Sequence, residues 1–124
     1  MIKGVGIDMI EVERVADKIG KELGFRELVF SENEIIYCEK KTNKFEHYAA
    51  RFAAKEAFLK ALGTGWVSGT AFNEIEITHD ENGKPEMNLT GLTLTTITSL
   101  GINKISVSLT HISKMASAVV ILEH

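Results

Sequence analysis

The 124-residue chain contains one cysteine, one proline and one tryptophan, and no long apolar run. A single thiol, Cys38, excludes an internal disulfide framework and fits a reducing compartment. It sits among charged residues and reads as structural or incidental. No segment approaches the ~20 apolar residues of a membrane span, and no signal-peptide pattern opens the chain, so a soluble cytoplasmic protein is expected. Pro85 is the only proline, and no Pro/Gly/Ser-rich linker, internal repeat or low-complexity segment divides the sequence. One domain over residues 1–121 follows, and Leu122-Glu123-His124 is consistent with the start of an expression-tag remnant, so His124 is assigned no role. A net charge of −3 gives no global attraction to nucleic acid. A hydrophobic fraction of 44% suits one modest core.

Apolar spacing places the elements. Residues 2–10, IKGVGIDMI, form an apolar run that reads as a buried strand. Residues 11–24 follow as an amphipathic helix with Val12, Val15, Ala16, Ile19 and Leu23 inward, ended by Gly24. Ser31 and Glu34 make a capping-box pattern for a helix over about 32–41. A long helix over 44–62 stops at Gly63. Beyond it the period changes to two. Asn73–Thr78 and Pro85–Thr90 flank the turn signal Asp80–Gly83 and read as paired strands. Residues 92–101 are ambiguous by pattern, their threonines favouring a strand and Leu92, Ile97 and Leu100 a helix; Lys104–His111 and Met115–Leu122 complete the strands. The expected architecture is α+β, a three-to-four-stranded antiparallel sheet packed by helices.

Two carboxylates break these patterns. At 100° per residue, Phe45, Tyr48, Ala49, Phe52, Leu59 and Gly63 share one arc of the long helix, with Glu56 near its middle. A carboxylate on an apolar stripe costs on the order of several kcal/mol unless a partner compensates it, and Lys60, four residues on, reaches the same side. An exposed Glu–Lys pair is the alternative. Asp8 interrupts the first strand on the same side of the pleat as Gly4 and Gly6. Glycines there strip the face of side chains and admit another backbone or a ligand. Asp8 as an N-cap of the next helix is the competing explanation. A shared hard cation would account for both carboxylates, since Mg²⁺ is commonly held by one or two of them with waters and phosphate oxygens.

G-I-D near the N-terminus, F-A-A-K-E-x-x-x-K-A-x-G-T-G in the middle and T-H-x-x-x-x-A-x-A near the end occur here in order, from Gly4 to about Ile121. This combination resembles the holo-[acyl-carrier-protein] synthases, the small single-domain branch of the 4′-phosphopantetheinyl transferases. The resemblance implies that family's fold, which favours a helix over residues 92–101, and its reaction. The 4′-phosphopantetheine arm of coenzyme A moves to a serine of acyl carrier protein, supporting fatty acid biosynthesis, and adenosine 3′,5′-bisphosphate is released. Such phosphoryl transfers are catalysed mainly by positioning and charge neutralisation, for which a divalent ion on the pyrophosphate is suited.

Residue by residue, the resemblance makes Asp8 and Glu56 the Mg²⁺ ligands and Lys60 the lysine one helical turn beyond. Lys60 would either take the serine proton as a neutral amine or stay charged and stabilise the pyrophosphate; sequence leaves both open. His111 corresponds to a histidine near the coenzyme A 3′-phosphate. Gly63, Thr64 and Gly65 would let backbone N–H groups approach the nucleotide, a helix stop being the plainer reading. This is not a P-loop, because no Gly-Lys-Ser/Thr follows. Arg51 and Lys55 flank Glu56 and could supply phosphate charge, or be solvated. His47 and His79 match nothing and read as surface residues. Larger transferases of the superfamily carry an Asp-x-Glu pair that this chain lacks, which fits the small branch.

The acidic carrier needs a locally basic receiving surface. Arg14, Lys18 and Lys21 form a stripe on the first helix. Arg14 and Phe25 match carrier-contacting positions of the family, Arg26 is a reasonable addition, and a mixed solvated helix is the alternative. The bacterial relatives are homotrimers with sites between protomers, and a small sheet with edges to cover agrees with oligomerisation. The rival functions are a non-catalytic coenzyme A or carrier-protein binding module, a structural oligomer in which Asp8 and Glu56 merely pair with Lys60 and Arg51, and a different nucleotide-dependent transferase.

Overall fold

The computed structural model describes residues 1–63, 65 and 68–124. The chain opens with strand β1 (Ile2–Glu11), helix α1 (Val12–Lys21), the short helix α2 (Phe25–Val29), α3 (Glu32–Glu39) and the long α4 (Lys44–Leu62). A 3₁₀ turn (Phe72–Glu74) leads into β2 (Ile75–His79), β3 (Pro85–Leu89), α5 (Gly91–Ser99), β4 (Lys104–His111) and β5 (Met115–Glu123). The α+β class, the long central helix and the helical reading of the 92–101 region agree with the sequence.

The expected single sheet is instead two. One has the order β1-β5-β4, antiparallel throughout; the other is the β2-β3 hairpin. The hairpin pairs only with itself and meets the other sheet without ladder hydrogen bonds, Leu89 of β3 and Ile105 of β4 both packing against the core. Strand β5 runs through Glu123, with Leu122 buried in the core, so the last strand extends past the assigned domain end at residue 121.

Helix α4 is the spine. Its alanines Ala53, Ala54, Ala57 and Ala61, with Phe58, pack on Ala118, Val120 and Leu122 of β5 and on Ile75 and Ile77 of β2. Small side chains bring the helix axis close to the sheet. Its first half joins a second cluster with Val12, Val15, Val29, Phe30 and Cys38. Cys38 is therefore a core residue, and burial pushes its thiol up to about 12. The capping box at α3 is formed as expected, Ser31 Oγ accepting from Glu34 N and Glu34 Oε1 accepting from Ser31 N.

Three local expectations need correction. Strand β1 is buried on one face only: Gly6 is buried, whereas Val5, Ile7 and Met9 are 59%, 65% and 65% exposed. Helix α1 stops at Lys21, and Leu23 is fully exposed rather than inward. Gly24 does not close α1 but starts α2, at φ 84°. Helix α2 is too short to show a period in the sequence.

Candidate active site

Asp8 and Glu56 come from different elements, and backbone contact brings them together. A Cβ on Gly4 would collide with the carbonyl of Ala61, and one on Gly6 with that of Ala57. The two glycines let β1 lie directly on α4, which delivers Asp8, next on the same face, beside the Glu56–Lys60 turn. Lys60 Nζ donates to Asp8 Oδ1 at 2.9 Å. Lys60 thus pairs with the strand aspartate, not with Glu56 four residues before it. The N-cap alternative for Asp8 does not occur, since the cap position of α1 is Glu11.

Glu56 is half-buried. Desolvation first, and then the neighbouring Asp8 charge, hold its carboxyl above the usual range, while Lys60 and Lys18 pull the other way. Two acids facing each other, with an ammonium to one side, form an incompletely neutralised pair. The hydrogen bond to Asp8, the largest influence on Lys60, raises its pKa and keeps the ammonium charged. Among the described residues no third His, Cys, Asp or Glu joins the pair.

Lys55 does not face this site, correcting its reading as a phosphate ligand. Its side chain is fully buried and donates to Glu34 Oε1 at 2.6 Å, Phe72 O at 2.7 Å and Val29 O at 2.8 Å. All three ammonium protons are used. Arg51 is also buried, 1% exposed, with its guanidinium carbon 4.2 Å from the Tyr37 ring centroid. Its Nε and Nη2 have no hydrogen-bond partner among the described residues.

Arg51 belongs to a ring cluster at the far end of α4. Tyr37 stacks on His79 at 5.1 Å and meets His47 edge-on at 5.8 Å; His47 in turn meets His111 at 4.9 Å. His111 Nδ1 lies 2.9 Å from Glu46 Oε1. His47 and His79 are therefore half-buried and engaged by neighbouring rings rather than freely solvated. Burial first, then the charges of His111, Arg51 and Lys41, push His47 down to about 4. Burial and the charges of Arg51 and Lys41 lower His79 as well. Aromatic and basic residues spaced through four segments give no local sequence pattern, so this cluster was visible only through His111. Along α4, Arg51 stands about 7.5 Å and Glu46 about 15 Å from Glu56, five and ten residues at about 1.5 Å each.

Gly63 ends α4 in the left-handed conformation (φ 80°), the helix stop the sequence suggested, and Gly65 follows at φ 67°. Thr64 lies outside the described residues. On helix α1, Arg14 is exposed and Lys21 reaches Asp17 only at 4.0 Å. Lys18 Nζ sits 5.6 Å from the Phe25 ring, and Phe25 packs on Phe52 at 6.1 Å. Arg26 is engaged by Glu27 at 2.8 Å and Glu39 at 3.3 Å, so its charge is largely answered within the chain.

The family model for the 4′-phosphopantetheinyl transferase superfamily matches residues 4–117. A holo-[acyl-carrier-protein] synthase of Solibacter usitatus is 42% identical over 125 residues, covering 100% of both chains. The chain belongs to the holo-[acyl-carrier-protein] synthase family. One of Cytophaga hutchinsonii is 56% identical over 85 residues, 68% of this chain and 67% of its own. The crystal structure of the Neisseria meningitidis synthase superposes with a TM-score of 0.91 at 30% identity, covering 100% of both chains. That of a Bacillus anthracis synthase in complex with CoA (3′,5′-ADP) gives 0.80 at 34% identity, covering 98% of this chain and 96% of that one. In this synthase-family chain the three motifs of the sequence fall on β1, on α4 with its C-terminal turn, and on the end of β4 running into β5.

Proposed function

We propose that this chain transfers the 4′-phosphopantetheine arm of coenzyme A to a serine hydroxyl of an apo acyl carrier protein. The observation that carries the reading is the meeting of Asp8, Glu56 and Lys60, brought from strand and helix by the two-glycine contact. The serine oxygen forms a bond to the β-phosphorus of the pyrophosphate. The bridging P–O bond breaks, its electron pair leaves on adenosine 3′,5′-bisphosphate, and the serine proton is released.

Mg²⁺ fits Asp8 and Glu56. Burial first, and then the charge of Asp8, raise the Glu56 carboxyl; a cation between the two would offset both, and two carboxylates leave positions for waters and phosphate oxygens. When bound, the ion would neutralise charge on the pyrophosphate. Lys60 serves best as a charged group. A neutral amine would need its pKa lowered, and the pair with Asp8 raises it. It stabilises charge as the bridging bond breaks. His111, with Arg51 supplying positive potential behind the rings, would receive the 3′-phosphate region of the nucleotide. Gly63, Thr64 and Gly65 would face its backbone-contacting part.

The carrier would dock on α1 and α2 through Arg14, Lys18, Lys21 and Phe25, where basic groups adjoin the exposed Leu23 and Leu28. The homotrimer reading is supported by the apolar ladder Val5, Ile7 and Met9 on the outer face of β1, paired with Val119 and Ile121 of β5. A neighbouring copy seated there would bring its His111 region toward Asp8 and Glu56, which lie far from His111 within one chain. The absence of a membrane-spanning helix among the described residues and a single buried thiol agree with a cytoplasmic enzyme.

The deciding experiment is the mass of apo acyl carrier protein after incubation with this chain, coenzyme A and Mg²⁺, beside an EDTA control. A gain of one phosphopantetheine unit only with metal is expected. No gain with coenzyme A binding intact would make the chain a binding module.

A further inference from the structure

The most completely bonded charged pair in the chain is Glu34 with Lys55, and neither residue touches the proposed reaction. Both are buried, at 1% and 0% exposure. Besides Lys55, Glu34 Oε1 accepts from Ser31 N at 3.0 Å, and Oε2 accepts from Ile77 N at 3.0 Å. Lys55 adds the carbonyls of Val29 and Phe72. The pair therefore ties α4 to the end of α2, the start of α3, the 3₁₀ turn and β2. Apolar residues of similar volume commonly give equal or greater stability than a buried ion pair. They do not, however, define a direction, whereas an ammonium held by three acceptors does.

Lys55 immediately precedes Glu56. We infer that the Glu34–Lys55 pair positions Glu56 for the reaction, by fixing the rotation of α4 about its axis at the residue before the catalytic carboxylate. On the opposite side of the helix, Gly4 and Gly6 set only how near β1 lies to α4; they do not stop the helix turning. A side-chain carboxylate stands about 6 Å from the helix axis, so a turn of about 10° moves it by about 1 Å. Misplacement on that scale costs up to about 10²-fold in rate. Glu34 and Lys55 are positioning residues, acting through Glu56.

The inference rests on the proposed transfer reaction, and its test separates the two. The double variant Glu34→Gln/Lys55→Met keeps side-chain length and leaves no stranded charge. Its thermal melt is compared with its kcat, its KM for the carrier and its Mg²⁺ dissociation constant by calorimetry in the presence of coenzyme A. Well below the melting point, kcat is expected to fall about 10-fold or more and Mg²⁺ binding to weaken several-fold, with carrier KM unchanged. A lowered melting point with wild-type kcat and Mg²⁺ affinity would overturn the positioning role while leaving the function intact. A wild-type chain that transfers nothing would overturn both. Should the double variant melt below the assay temperature, Lys55→Arg, which keeps the charge beside Glu34 and changes the direction of its hydrogen bonds, is read in the same way.

Discussion

Gly6 of β1 faces the main-chain carbonyl of Ala57 on α4 with no room between them for a methyl group. Ala57 follows Glu56, and Asp8 is the next residue on the same face of the strand as Gly6. The distance from strand to helix therefore also sets the separation of the two acidic side chains. Lys60 closes the arrangement at 2.9 Å from Asp8. A glycine that looks like a packing detail is part of the site.

Gly6→Ala is accordingly expected to cost far more than one methyl group would on an open strand. The strand must lift from the helix, which lowers the melting temperature and carries Asp8 away from Glu56, with turnover down by roughly 10²-fold. Parallel melting curves and carrier-loading rates check this. Wild-type turnover in the variant would show that the close approach does not govern the carboxylates.

Glu56→Gln is expected to raise the melting temperature at pH 7.5 in EDTA. The folded-state pKa of Glu56 is raised, so between the unfolded and folded values the folded chain binds the extra proton. Stability falls as pH rises through that window, and the deficit persists above it. Removing the charge removes the deficit, while turnover is lost. Below the ordinary carboxylate range the two proteins should melt alike. A lower melting temperature for the variant at pH 7.5 would point to a structural ion pair.

Lys60→Ala is expected to reduce kcat by roughly 10²-fold, whereas Lys60→Arg should retain a substantial part of the rate. Arginine keeps the charge and cannot act as a neutral base. Equal losses in both variants would favour proton removal over charge stabilisation.

His47 should titrate near 4 by NMR, far below an ordinary imidazole. Because the depressed value lies below the unfolded one, His47 costs stability as pH falls from about 6.5 toward 4. His47→Phe should flatten the acid side of the stability curve over that interval. An unshifted midpoint would mean that the ring is solvated and the cluster open.

Under the proposed homotrimer, Ile7→Asp is expected to yield monomers in sedimentation velocity and to abolish carrier loading, because the charge would sit in the apolar ladder of β1. A variant of wild-type size and activity would remove this face from the assembly.

Much of this was legible in the sequence. The long helix was read at its observed limits because a Gly63 stop and a continuous apolar arc bound it. Asp8 and Glu56 stood out because each violated the pattern around it. Local patterns do not extend to partners contributed by distant segments. Lys55 looked like a phosphate ligand because two of its acceptors are carbonyls, of Val29 and Phe72, which no side-chain motif reveals. Strand β1 looked buried on both faces because Val5, Ile7 and Met9 are as apolar as a core, whatever covers them. Leu23 fitted the helical stripe of α1, but the helix had already ended at Lys21.

Strand β5 lies at the centre of the three-stranded sheet, yet its residues are translated after those of both its neighbours. Asp8 pairs across to Ala118, which leaves the ribosome roughly a hundred residues later, an interval on the order of 5–20 s at ordinary elongation rates. Throughout that interval β1 has no strand to pair with. Its edge toward β5 stays unpaired for that time. The strand that carries Asp8 is therefore fixed in its sheet only once β5 has been made.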